Sequence, residues 1–324
     1  MRVTGQQALA LLLLLVAPLG TSAAAGGYEG EALTSEAPWA LRKHHTLTAF
    51  KDSLVLTGGF FHANDVWQSP DGESWERLAI NSPWAARYGH SVTALGESLI
   101  LIGGYGYNGG SKLTHHNDVW SSTDGQTWSQ LTATAPWAGR RFHAAAVLGD
   151  ELVIAGGFHP CRNDVWASTD GVNWVQRTDA APWSPRYGHT MASFDGQLIL
   201  GGGHDGDYKN DVWSSPDGTN WALQVAAAPW EPRRFHAAGV LDTSSGGSKM
   251  VLGAGCAVHR RRRGSVGDVW SSHDGGQTWL QELGDGYAQW NRWSMGGAAV
   301  FGNRLVLAGG SDGESTRSDV WAVT

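Results

Sequence analysis

The sequence predicts an all-β fold: a six-bladed β-propeller of four-stranded antiparallel blades, closed by its own N-terminal strand. Three observations predict it. The stretch Asn117–Trp128, NDVWSSTDGQTW, recurs at Asn64–Trp75, Asn163–Trp174, Asn210–Trp221 and Gly267–Trp279, and a truncated sixth copy stands at Ser318–Trp321. Consecutive Asp-Val-Trp copies lie 46 to 57 residues apart, and a period near 50 made of short apolar runs marks a radial array of small sheets. Finally, 17 of the 18 tryptophans fall in register with that period, Trp293 alone being left over. A packing side chain repeats with its repeat, whereas a binding one need not. These indoles are therefore expected in the wedges between blades, where removing one costs about 3–5 kcal/mol.

Residues 1–25 read as a signal peptide. Arg2 supplies the positive end, Ala8–Val16 is an apolar run too short for a membrane span, and Ser22–Ala25 offers a small-residue cleavage site. Residues 26–324 then form one domain, expected to be secreted or lumenal. No other apolar run reaches membrane length, so no membrane span is expected. A formal net charge of −7 argues against a nucleic-acid partner, whose phosphates need a basic face. The two cysteines, Cys161 and Cys256, fall in loops of non-adjacent units, and a bridge requires those loops to meet over the channel.

Each unit divides into four strands. The first follows a PW-x-x-R-x-x-H element. The second is an apolar run ending in two glycines, as in Leu54–Gly59, Leu99–Gly104, Leu152–Gly157, Leu198–Gly203 and Leu305–Gly310. It does not alternate with polar residues, as expected of a strand covered on both faces. The third strand carries Asp-Val-Trp. An Asp-Gly turn reverses the chain where glycine accepts positive φ, and the fourth strand opens on Trp75, Trp128, Trp174, Trp221 or Trp279. The sixth unit stops at Thr324 without a fourth strand, so the segment near Tyr28–Glu36 is expected to pair beside Ser318–Val323 and remove the free edge.

The double glycine, the aromatic in the third strand and the Trp about eight residues later resemble the kelch repeats of galactose-oxidase-like propellers, with Trp where that family usually has Tyr. Ser272–Trp279, SHDGGQTW, is similar to the Asp-box turn of sialidase-type propellers. Both resemblances speak to fold and leave chemistry open.

The variable loops locate a face for function. From the second glycine to the next Asp-Val-Trp, or from Gly255 in the fifth unit, the steps are 6, 14, 7, 8, 13 and 9 residues. Rigid elements carrying variable loops on one side suit recognition. Two residue sets are candidates there. Arg42, Arg87, Arg140, Arg186 and Arg233 repeat, with His45, His90, His143, His189 and His236 three residues on; Trp293 and Gly296 break the pattern in the sixth unit. These arginines either tie each blade to a carboxylate or carbonyl, or ring the mouth and grip acidic ligands bidentately. The kelch resemblance implies the second use. The histidines either satisfy strand-end carbonyls or hold a metal, although nothing has metal-ligand spacing. The other set breaks the symmetry: Tyr105, Tyr107, His159, His204 and Tyr208, with Phe60, Phe61, His62, Lys112, His115, His116 and Arg162 beside them. Converging rings and polar groups suit a sugar or a peptide.

Asp205, Asp207, Asn210 and Asp211 have the composition of a calcium loop without its spacing. No cofactor or metal is expected. His259–Arg263 is a dense basic run, read as a solvated loop, an acidic-ligand patch or a protease processing site. No nucleophile motif stands out, and paired acids for glycoside chemistry are scarce, Asp312 and Glu314 being nearest. The expected function is a secreted, monomeric binding module for a protein or glycan. The alternatives are a carbohydrate-active enzyme of epimerase, mutarotase or oxidase type, or a multivalent lectin with a pocket between blades. The resemblance to six-bladed sialic-acid epimerases implies an acid–base pair such as His159 or His204 with an arginine. The copper and Tyr–Cys ligand set of galactose oxidase has no match here.

Overall fold

The computed structural model describes residues 29–60, 63–108, 110–259, 262–284, 290 and 296–323. The signal-peptide reading falls on residues 1–25 and lies outside the described residues, as do Phe61, His62 and Trp293. Among the described residues there are six four-stranded antiparallel sheets. In the first blade Thr46–Phe50, Ser53–Gly59, Ala63–Ser69 and Glu76–Ala79 follow one another from the channel outwards. The other blades begin on Ser91–Leu95, Ala144–Leu148, Thr190–Phe194, Ala237–Asp242 and Gly297–Phe301. Each of these inner strands contacts the next, and the last contacts the first, so the ring is closed.

The closing strand is the N-terminal one. Gly30–Thr34 pairs antiparallel with Thr316–Val323, placing Gly30 opposite Val323 and Ala32 opposite Trp321. The sixth sheet thus has its outer edge covered by chain from the other end of the molecule.

Six apolar clusters occupy the six wedges between neighbouring blades. Between the first and second blades, for example, Val55 and Val66 meet Leu99, Leu101 and Trp84. The second strands supply both sides of these contacts, which is why they read as unbroken apolar runs. The PW indoles Trp84, Trp137, Trp183 and Trp230 are each 1 % exposed. Each meets the fourth-strand Trp of its own blade edge to face, with centroids 5.9–6.1 Å apart.

The repeated motif is a joint in which the Asn, Asp, Val and Trp positions each have a partner. Asn117 Nδ2 donates to the Ala135 and Trp137 carbonyls in the next PW loop, and Asn64, Asn163 and Asn210 do the same one repeat away. The Val enters the wedge, and the Trp indole N–H returns to the carboxylate two residues before it. In the turn that follows, Asp124 Oδ1 accepts from the Gln126 and Thr127 amides, Gly125 takes φ +74°, and Trp128 Nε1 donates to the Gly125 carbonyl. The longer fifth turn absorbs its extra residue with two glycines at positive φ, Gly275 and Gly276.

The two longest variable loops fold into ribbons of their own. Arg87–Tyr88 carries Tyr105–Tyr107 and Leu113–His115, and Arg233–Arg234 carries Cys256–His259 and Arg262–Ser265. Gly106 is required in the first of these, because a Cβ there would lie 1.9 Å from the Ala86 carbonyl oxygen. Of the basic run read from the sequence, His259 pairs with Arg262 in the second ribbon; Arg260 and Arg261 lie outside the described residues.

Candidate binding site at the channel mouth

The five repeated arginines are blade ties. Arg42, Arg87, Arg140, Arg186 and Arg233 are 0–3 % exposed. Each grips the Asp of its own Asp-Val-Trp with two parallel hydrogen bonds of 2.5–2.8 Å, the partners being Asp65, Asp118, Asp164, Asp211 and Asp268. Nη1 also donates to the carbonyl of the first glycine of the pair, as from Arg87 to Gly103, and Nε donates to the residue two positions back. In the fifth blade Ala254 stands in that glycine's place, at φ +58°. Burial alone would push the carboxyls of Asp65, Asp118, Asp164 and Asp211 up, but the guanidinium hydrogen bonds outweigh it and hold them below the usual carboxylate range. Of the two uses the sequence allowed, the geometry shows the tie. No guanidinium of this set opens to the mouth as the ligand ring required.

The five histidines form a buried belt. His90 Nε2 lies 3.0 Å from Thr57 Oγ1, His143 Nε2 2.9 Å from Ser91 Oγ and His236 Nε2 2.8 Å from Thr190 Oγ1, while the Gly297 amide donates to His45 Nε2 at 3.0 Å. Each of these contacts reaches back to the preceding blade, where the strand-end carbonyls of Ala308 and Ala155 also face His45 and His189, as the sequence reading allowed. His189 packs against Gly156, where a Cβ would lie 2.8 Å from its Cε1. With Trp, Arg and His of the PW element all closed into the core, a lectin pocket built from them has no exposed wall.

The two residues between Arg and His make the site. The second of them has positive φ throughout: His44, Gly89, Phe142, Gly188 and Phe235, at 55–66°. Their backbones are linked around the axis: the Gly89 amide donates to His44, Phe142 to Gly89, Gly188 to Phe142 and Phe235 to Gly188, at 2.7–2.9 Å. The three side chains point inward and meet. His44, Phe142 and Phe235 form a triangle with ring centroids 4.8–5.0 Å apart. Glycine alternates with them because a Cβ at Gly89 would lie 2.7 Å from the Phe142 ring, and one at Gly188 2.9 Å from Phe235. Burial, then Lys43, Arg141 and Arg234, lower the His44 imidazole to about 3, so it packs as a neutral ring.

The triangle divides the channel. Below it is a chamber of about 290 Å³ lined by the histidine belt and the starts of the inner strands. Above it is a cup of about 310 Å³ walled by Lys43, Phe60, Tyr88, Arg141, Phe158, Tyr187 and Arg234. Arg141 lies over the rings of Tyr88, Tyr105, Phe142 and Phe158 at 4.7–5.5 Å, and its Nη1 donates to Tyr88 Oη at 2.8 Å. Arg234 lies over Tyr187, Tyr208 and Phe235 at 5.0–5.3 Å and donates to Tyr187 Oη. Lys43 stands 5.4 Å over Phe60.

The symmetry-breaking candidates divide accordingly. Tyr105 packs on Tyr88 and Arg141, Tyr208 covers Arg234, and His204 lies between Tyr187 and Tyr208, so these three buttress the cup. His159 stacks flat on His115, 4.1 Å apart, at the rim beside Phe158. Tyr107 stands farther out on its ribbon, exposed and opposite Leu113. Asp211 is committed to Arg186 and Asp205 pairs with Lys209 at 2.8 Å; among the described residues no group of metal-ligating side chains is assembled. Cys161 and Cys256 are not joined in a disulfide, and Cys256 Sγ lies 3.1 Å from Tyr208 Oη. The sequence reading passed over Lys43, Tyr88, Arg141, Tyr187 and Arg234. Their signal was present: the pairs inside R-x-x-H run Lys-His, Tyr-Gly, Arg-Phe, Tyr-Gly, Arg-Phe, alternating where the flanking residues repeat.

Fold and site define a kelch-type β-propeller with an aromatic, cationic cup at the loop end of its channel. The chain belongs to the family described as the KLHDC2/KLHL20/DRC7 Kelch-repeats domain, whose profile matches residues 44–244. The solved structure of YjhT shares the architecture, at a TM-score of 0.72 and 15 % identity over 90 % of this chain and 99 % of that one. At that identity the likeness concerns the fold. No curated protein sequence matches this chain. No helix among the described residues is long and apolar enough to cross a membrane.

Proposed function

We propose that this chain is an exported recognition module that takes a glycan or a protein segment into the cup at its channel mouth. One observation carries the reading: two guanidinium groups are held on aromatic faces at the rim of a concave, ring-lined space, above a floor that is itself packed shut. Rings offer a sugar or a peptide broad contact with little rotamer entropy to lose, and fixed polar edges set its orientation. The site needs no movement of the blades to form, so affinity follows from shape that exists before binding.

A glycan and peptide array identifies the ligand, and Tyr88→Ala tests the place. Tyr88 walls the cup and fixes Arg141 through its hydroxyl. The variant is expected to keep its fold and to lose at least about tenfold in affinity for the array ligand, the effect of deleting one aromatic contact at a binding centre. Undiminished binding by Tyr88→Ala would move the site elsewhere on the molecule.

A further inference from the structure

The cations of the R-x-x-H turns fall into two electrostatic classes. The five motif arginines are neutralised, each by a buried carboxylate. The three cations of the cup are not: among the described residues Lys43, Arg141 and Arg234 pair with no carboxylate. They occupy the same turn position in the first, third and fifth blades, each directly before one ring of the triangle. In a six-bladed ring, alternate blades are a third of a turn apart, so the three charges surround one axis.

Two of the three stations are built alike. Tyr88, Arg141 and Phe142 in the second and third blades correspond to Tyr187, Arg234 and Phe235 in the fourth and fifth. In both, one Nη is fixed on a tyrosine hydroxyl and the guanidinium lies over rings. In both, Nε is buried without a hydrogen-bond partner. Held in this way, a guanidinium offers its remaining N–H groups in a preset direction, and the matching group is a carboxylate or another oxyanion. Lys43, on a flexible stem, supplies a point charge at the third station. Unpaired like charges gathered around one concave space raise the local potential and favour an oppositely charged guest.

Resting on the reading that the cup is the binding site, we infer that its ligand presents a compact set of two or three carboxylates, one to each cationic station. A single acid group would satisfy one station and leave the others facing each other. Each added carboxylate binds from an already tethered position, so affinity rises steeply with the number of acids.

Isothermal titration with three planar probes tests this: benzoate, benzene-1,3-dicarboxylate and benzene-1,3,5-tricarboxylate. Each added carboxylate is expected to tighten binding at least about tenfold. Added sodium chloride is expected to weaken the tricarboxylate most. Arg141→Gln and Arg234→Gln should each bring the tricarboxylate down to the affinity of the dicarboxylate. Lys43→Gln should do likewise, and it removes no scaffold hydrogen bond, so its result stands even where an arginine variant fails to fold. Equal affinity for all three probes, no binding of the tricarboxylate, or an unchanged tricarboxylate affinity in Lys43→Gln overturns the inference. Its failure differs from failure of the cup reading. An array ligand that depends on Tyr88 while no carboxylate probe binds leaves the cup standing and removes the charge assignment. An array ligand indifferent to Tyr88→Ala removes the cup reading itself.

Discussion

Arg140 and Arg141 are adjacent in the chain and opposite in role. Arg140 is fully buried and hydrogen-bonded to Asp164, Gly156 and Ala138. Replacing it with alanine strands a carboxylate in the interior, and losing one partner of such a pair costs about 3–5 kcal/mol. Arg141 is half-buried among rings and, among the described residues, neutralises no carboxylate, so Arg141→Ala is expected to cost no more than about 1 kcal/mol. Urea denaturation of the two variants side by side gives the order; a larger loss from Arg141→Ala would reverse the assignment of scaffold and site. The sequence distinguishes the two only through periodicity. Arg140 recurs in five units, which weighs towards packing, but repetition alone left a ring of ligand-binding guanidiniums open. What decides is the Asp of Asp-Val-Trp, a residue 23 to 35 positions away in sequence and bonded through space. Arg141 falls in a position that alternates, and alternation is invisible to a search for identity between repeats.

The element that joins scaffold to site is the R-x-x-H turn. Its flanks are legible in the sequence, because they carry the repeat, and so are the strands on either side. Its interior was not, since a Phe or a Gly after an arginine gives no sign that successive turns will meet at an axis. The meeting depends on positive φ, which turns the side chain inward, and on glycine in the intervening blades, which makes room. Two glycines separate these requirements. Gly89 has φ +64° and an added Cβ would lie 2.7 Å from the Phe142 ring; Gly96 has φ +54° with nothing within 4 Å of that position. Alanine at Gly96 therefore bears only the left-handed backbone cost of about 1–2 kcal/mol. Alanine at Gly89 adds displacement of a packed ring, typically about 1–3 kcal/mol more. Thermal midpoints of Gly89→Ala and Gly96→Ala are expected to differ accordingly, with Gly89→Ala lower. Equal midpoints would show that the triangle yields freely and is no firm floor to the cup.

At the scale of the whole molecule the period of the motif was enough to count blades and to foresee the closing strand, because both follow from covering every sheet edge. The two outer ribbons escaped, as their strands are only two to four residues long and have no repeat partner. The histidine belt was legible as a set but not as a girdle, since its partners are hydroxyls, an amide and strand-end carbonyls that belong to the preceding blade. That girdle ties the stability of the ring to pH. Burial first, then a neighbouring arginine, lowers the imidazoles of His90, His143 and His189 from 6.5 to about 3, and those of His45 and His236 well below 6.5. The folded ring thus keeps them neutral, while the unfolded chain takes up protons as pH falls through 6.5. Their stabilising effect is complete above pH 6.5 and declines at each step down towards pH 3, by about 1.4 kcal/mol per imidazole per unit. The paired aspartates respond later, because their carboxyls, ordinarily near 3.8, are held lower still in the fold. The thermal midpoint is therefore expected to fall steadily from pH 6.5 to 4, with several protons taken up per molecule unfolded near pH 5. His143→Gln, which retains a hydrogen-bonding side chain towards Ser91, is expected to reduce that uptake by one. Calorimetry in buffers of different ionisation enthalpy counts these protons. A midpoint that stayed level down to pH 5 would mean that the belt histidines are already charged within the fold, and that their burial between blades does not govern how the ring opens.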